Sequence, residues 1–258
     1  MEEFLLFLFV GFVAQAVDGA LGMAYGVISS TVLLSFGVPP ATASASVHAA
    51  EVFTTASSAG SHALHRNVNW KLFVPLAVGG SIGGALGAFV LTSIPGDVIK
   101  PFITGYLAIM GGVILYRAWK GPSPRPFPVR LAGPLGGVGG FLDAVGGGGW
   151  GPTVTSAMVG SGAEPRVSIG TANTAEFFVT ATISATFLAA LISGHWQGAT
   201  GLQTHMAAVG GLIVGGLIAA PFAGFMVKVI PVRALTWGVG VLVVLLAGYQ
   251  TARLVGLV

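Results

Sequence analysis

Residues 141–152 read FLDAVGGGGWGP and lie inside an apolar stretch long enough to cross a membrane. Asp143 is ionisable, four consecutive glycines run from Gly146 to Gly149, and Pro152 removes a backbone donor soon after. Inside hydrocarbon an unpaired backbone group is expensive. Irregular backbone survives there only where it is buried in protein or lines a cavity. The stretch therefore predicts a helix interrupted at membrane depth.

Working outward, the chain has 258 residues, of which 54% are hydrophobic and 7% charged. Soluble domains carry about 25% charged residues. The apolar runs are long and do not alternate, which argues against a barrel. The fold class is thus an all-α polytopic membrane protein. Eight apolar segments are expected, roughly 4–36, 40–62, 70–92, 98–118, 130–160, 165–192, 202–227 and 232–252. The net charge of +3 comes from Lys and Arg in short loops, so it signals orientation and not a nucleic-acid partner. Cysteine is absent, which removes disulfides and thiolate metal sites. The N-terminal MEEFLLFLFV is acidic where a signal peptide needs positive charge, so cleavage is not expected.

GPSPRPFPVR, residues 121–130, reads as a stiff exposed linker. It separates a first membrane repeat, 1–120, from a second, 131–258. A shift of 125 positions brings Asp18 onto Asp143, Gly22 onto Gly147, Tyr25 onto Trp150, His48 onto Asn173 and Glu51 onto Glu176. With small insertions, VGGSIGGALGA (Val78 to Ala88) falls on VGGLIVGGLIA (Val209 to Ala219). Duplicated membrane proteins are typically transporters with the site between the repeats.

The repeats could be parallel, with four full crossings each. They could also be inverted, if segments one and five enter and leave on one side. Loop charges separate the two. Eight crossings divide the Lys and Arg residues seven against four, whereas the re-entrant arrangement divides them nine against two. The positive-inside rule favours inverted repeats with both termini outside.

Glycines let the chain turn and let a ligand approach the backbone, and each restarted helix presents N–H groups and a partial positive charge. Two such breaks can hold an anion without a cationic side chain. The expected anion-binding residues are Gly22, Met23, Ala24 and Tyr25 in the first break, with Gly147, Gly148, Gly149 and Trp150 in the second. Close helix packing is the competing explanation for glycine. It suits the spaced glycines of GGSIGGALG better than four in a row.

Asp18, Glu51, Asp143 and Glu176 lie within apolar segments, where ionisable groups are functional candidates. Asp18 and Asp143 precede the breaks and are expected as structural caps. Ser44, His48, Glu51 and Thr55 share one helical face, as do Asn173, Glu176 and Thr180. His48 and Asn173 are expected to line the substrate. Glu51 and Glu176 are expected to carry protons, although an interhelical hydrogen-bond clamp would also explain them. Tyr25 and Trp150 could gate the site or only pack beside the glycines. His62, His65 and His195 fall at segment ends and are expected at the interface, while His205 lies within the seventh segment.

GFLDAVGGGGWGPTV, its counterpart GFVAQAVDGALGMAYGV, VPPATASASVHAAE and HRNVNWKLFVPLAVGGSIGGALGA together resemble the TauE/SafE sulfite exporter family over nearly the whole chain. The resemblance implies a secondary transporter of sulfite, sulfonates or related carboxylates in a cell (inner) membrane. It departs from the family where the first break, GALGMAYG, lacks a compact glycine cluster. The expected partners are a small anion, protons and the lipid bilayer; a homo-oligomer is compatible with the sequence. No cofactor or metal is called for. The alternatives are a permease for another small carboxylate or for a divalent metal cation. Against the cation, the acids show no compact ligand spacing along the chain. An enzyme is not expected, because no HExxH motif or nucleophile–base pair is present.

Overall fold

A computed structural model describes residues 2–120, 126–161, 163–196, 206–229 and 231–257; every described regular element is helical. The helices are α1 (Glu2–Leu21), α2 (Tyr25–Ser35), α3 (Pro40–Leu64), α4 (Trp70–Ser93), α5 (Gly96–Lys120), α6 (Ala132–Gly146), α7 (Ser156–Gly160), α8 (Pro165–Ile192), α9 (Met206–Ala219), α10 (Ala223–Val229) and α11 (Val232–Leu254). A π-helical turn, Gly151–Thr155, leads into α7. Among the described residues, five helical spans are long and apolar enough to cross a membrane: Glu2–Leu21, Trp70–Ser93, Gly96–Lys120, Pro165–Ile192 and Met206–Val229. His205, part of the expected seventh segment and the first half of the linker lie outside the described residues.

Segment one is two helices. α1 ends at Leu21, Gly22 takes a left-handed φ of +62°, and α2 starts at Tyr25. The Phe7 and Phe36 rings stand 5.8 Å apart, although roughly 16 to 21 Å of helix separates each from the break. α2 therefore runs back alongside α1. Segment five does the same: α6 is closed by Gly147 at φ +67°, and Val154 beyond the break packs against Gly139 before it.

Packing joins the two halves. α4 lies along α6 in the same direction, with Gly79 against Gly133, Gly83 against Gly137 and Gly87 against Phe141. α1 lies along α9–α10 likewise, with Gly11 against Leu212 and Gly19 against Ala223. Here the spaced glycines allow backbone-to-backbone approach that a Cβ would block. α3 and α8 run antiparallel: Thr180 near the middle of α8 bonds the carbonyl of His48, while Asn173, earlier in α8, lies by Ser58, later in α3. α5 and α11 are antiparallel too, with Thr104 beside Gln250 and Ala118 beside Arg233.

Candidate functional site

The two breaks cross each other. Gly148 abuts Val27 N and Gly26, and Gly151 abuts Met23 Cα and Gly22 O. The 125-residue shift carries Met23 onto Gly148 and Gly26 onto Gly151, so it exchanges the two contacts. Gly146 lies under the Tyr106 ring of α5, Gly147 supplies the left-handed turn, Gly148 meets the other break, and Gly149 lies against the backbone of Leu142 and Asp143 beside the Tyr106 hydroxyl. A Cβ would be crowded at each of the four. Met23 has its Sδ 3.8 Å from Ser156 Oγ.

The N–H groups of the restarted helices are met by the preceding aspartates. Asp18 Oδ1 accepts from Ala24 N at 2.9 Å and Tyr25 N at 3.4 Å. Asp143 Oδ1 accepts from Gly149 N at 2.8 Å and Trp150 N at 3.1 Å. The aromatic residues are anchored in the same manner. Tyr25 Oη donates to Leu212 O at 3.0 Å, and Trp150 Nε1 donates to Ala172 O at 3.0 Å. Both rings are buried.

Each aspartate keeps its second oxygen for the other half. Asp143 Oδ2 lies 3.3 Å from His48 Nε2, and Glu51 Oε2 lies 3.9 Å from that same nitrogen. Asn173, with its amide turned to satisfy its neighbours, donates to Asp18 Oδ2 at 3.2 Å and to Glu176 Oε2 at 2.8 Å. Thr180 Oγ1 lies 3.2 Å from His48 O and 3.4 Å from Glu51 Oε2. Glu51 also reaches the crossing, 2.9 Å from where a Cβ on Gly26 would stand. His48 and Asn173 are fully buried, and none of Asp18, Glu51, Asp143 and Glu176 exceeds 7% exposure.

The hydrogen bonds of His48 fix its protons. Ser44 Oγ donates to Ala144 O at 2.6 Å, so it has no proton left for the imidazole. Ser44 O, 2.7 Å from Nδ1, can only accept, which makes Nδ1 the donor. Nε2 then faces a carboxylate. That contact is a hydrogen bond only if imidazole or Asp143 holds a further proton.

Two sequence expectations are corrected. His62 is not interfacial; it is fully buried at the far end of the polar face of α3. Its Nε2 is 3.4 Å from the Asn173 amide and its Nδ1 is 3.3 Å from Asn67 Nδ2. Its spacing of fourteen residues from His48, four helical turns, carried that signal. His65 is half-buried and His195 exposed. The second correction concerns ligand spacing. The acids are scattered along the chain, yet one ligand atom each from His48, Glu51 and Asp143 lie within 4.8 Å of one another. Sequence distance hid this because Asp143 comes from the other half.

At the end of the bundle opposite His62, a cavity of about 680 Å³ is lined by Pro39, Leu91, Ser93, Pro95, His195 and Trp196 among others. Trp196 packs on Phe187 at 5.7 Å between ring centroids, and Phe187 on His48 at 6.3 Å.

Comparison with known proteins agrees with this architecture. The chain is 43% identical over 235 residues to "Probable membrane transporter protein YtnM" of Bacillus subtilis (strain 168), covering 88% of this chain and 76% of that protein. It is 34% identical over 113 residues to "Probable membrane transporter protein ORF9" of a Sinorhizobium species, covering 42% of this chain and 43% of that protein. No solved structure matches. The family described as "Sulfite exporter TauE/SafE" matches residues 7–250. A helical chain whose described residues hold five spans fit to cross a bilayer, folded around buried acids and matched over nearly its whole length, is a multi-pass membrane transporter and belongs to the TauE/SafE family.

Proposed function

We propose that the protein is a proton-linked secondary transporter of a small sulfur oxyanion, sulfite or an organosulfonate, moved outward across the cell membrane. The observation that carries this is the buried cluster of Asp18, His48, Glu51, Asp143, Asn173 and Glu176 where the two breaks cross. Four carboxylates within mutual electrostatic reach repel an anion. An oxyanion enters only where those groups are neutralised, so anion and proton occupancy are linked. The extra proton needed between His48 and Asp143 fits that linkage. With the Gly22, Ala24 and Tyr25 amides bonded to Asp18 and those of Gly147, Gly149 and Trp150 bonded to Asp143, the anion is bound by the remaining amides of Met23 and Gly148 together with His48 and Asn173. Glu51 and Glu176 carry the protons. The family's printed name supplies the sulfite reading and the outward direction.

The halves are read as inverted repeats with re-entrant first segments. α3 and α8 are counterparts under the repeat and run antiparallel, as do α5 and α11. Four full crossings per half would make each pair parallel. The same arrangement puts the loops with Arg66, Arg130, Arg166 and Lys228 on one face, which the positive-inside rule places in the cytoplasm.

The test is flux in proteoliposomes loaded with sulfite and a luminal pH dye. Sulfite efflux should move protons, and Glu51→Gln or Glu176→Gln should abolish pH-driven flux while the protein stays folded. Unchanged flux in both variants removes those acids from coupling.

The compact His48, Glu51 and Asp143 set favours a second reading, a divalent-cation permease. Thermal melting separates the two. Stabilisation by a divalent ion and none by sulfite supports the cation.

A further inference from the structure

The 125-residue shift that places His48 on Asn173 also places Ser58 on Ile183 and His62 on Phe187. The contacts follow the shift. His62 meets Asn173 at one end of the central cluster, and Phe187 meets His48 at the other. Because α3 and α8 are antiparallel, these equivalent positions point to opposite faces of the protein. Their chemistry is opposite as well.

Beyond His62 the groups are polar. Asn67 Nδ2 lies 3.3 Å from His62 and 3.3 Å from Gly224 O, and its buried Oδ1 has no partner. His65 follows, half-buried with Nδ1 2.8 Å from Ser61 O, and then exposed Arg66. Beyond Phe187 the next group is the Trp196 ring, which itself lines the 680 Å³ cavity. Both legs are buried, Ile183 and Phe187 at 0% and 3% exposure and Ser58, His62 and Asn67 at 0%, so the difference between them is one of polarity. A polar leg admits water and ions with small rearrangement; an apolar plug must be moved.

We propose that Phe187 and Trp196 form the barrier between the central cluster and the cavity, and that Ser58, His62 and Asn67 line the open-prone route from the cluster to the face bearing Arg66. This rests on the inverted-repeat reading of the site but needs no assumption about the substrate. Phe187 is the residue that holds the two sides apart, and the cavity is the vestibule on the far side of it.

The chain has no cysteine, so single cysteines report access directly. The probe is a permanently charged, membrane-impermeant methanethiosulfonate, applied to one side at a time of reconstituted full-length protein. Arg66→Cys marks its own face. Ser58→Cys should react from the Arg66 face about tenfold faster than Ile183→Cys reacts from the opposite face. Adding Phe187→Ala should raise the Ile183→Cys rate from the opposite face about tenfold and leave Ser58→Cys unchanged. Phe187→Leu serves if the alanine variant fails to fold. Equal rates for the two reporters, Ser58→Cys reacting only from the opposite face, or no response to loss of the Phe187 ring would each overturn the proposal. Absence of sulfite flux with this access pattern intact would count against the substrate alone.

Discussion

The two breaks share an aspartate cap, a left-handed glycine and an anchored aromatic ring, and differ in the chain that follows and in what packs on it. In the first, Gly22 makes the turn, Met23 and Ala24 follow, and an eleven-residue α2 returns. In the second, the glycine run and a π-helical turn lead into an α7 of only five residues. Tyr106 of α5 explains part of the excess glycine, since its ring occupies the space a side chain at Gly146 would need and its hydroxyl crowds Gly149. A glycine run at membrane depth is therefore no gauge of ligand contact. The shared acid has two oxygens that serve two ends: one caps its own half, the other reaches the opposite half.

The sharpest way to break this comparison is at the crossing. A Cβ on Gly148 would fall 2.7 Å from Val27 Cα and nearer still to Val27 N. Gly148→Ala should remove most folded protein, by size exclusion in detergent, because backbone cannot yield as a side chain can. The equivalent Met23→Ala should leave a monodisperse protein. Equal behaviour would mean the breaks do not cross as described.

Next comes the partner of each cap. An asparagine at either position still accepts the break amides through its carbonyl oxygen. In Asp143→Asn its amide donates to His48 Nε2, and no extra proton is needed there. Proton-linked flux should fall by about tenfold and its pH dependence flatten. Asp18→Asn faces Asn173, which does not titrate, and should change the pH profile less than Asp143→Asn does. A reversed order would assign proton handling to the other aspartate.

The smallest effect concerns the ring anchors. Tyr25→Phe deletes one buried hydrogen bond, worth about 1 kcal/mol, or roughly 2–4 °C in melting temperature, and Trp150→Phe, which also empties space against Gly80, should shift it further. Shifts in that order with flux retained would mark both as packing residues; lost flux without a shift would restore a gating role.

The sequence makes the helical membrane class legible because apolar length and charge depletion are local properties. Asp18, Glu51, Asp143 and Glu176 stand out for the same reason, being ionisable within apolar runs. Cross-half geometry is another matter. Asp143 lies 95 residues from His48, and nothing local announces their contact. His62 reads as a helix-end residue until the four-turn spacing is followed to its end. The four glycines look like one motif, yet their neighbours come from α5, from the other break and from the local turn.

The reciprocal pairing of α4 with α6 and of α1 with α9–α10 has a consequence for synthesis. α4 ends at Ser93 and α6 starts at Ala132, so that pair can close soon after the linker emerges. α1 ends at Leu21 and its cover begins at Met206. At ~5–20 residues per second the ribosome needs roughly 10–40 s to deliver it. For that interval Gly11 and Gly19 of α1 lack the backbone that covers them in the finished fold, so the pairing of α4 with α6 can precede that of α1 with α9–α10.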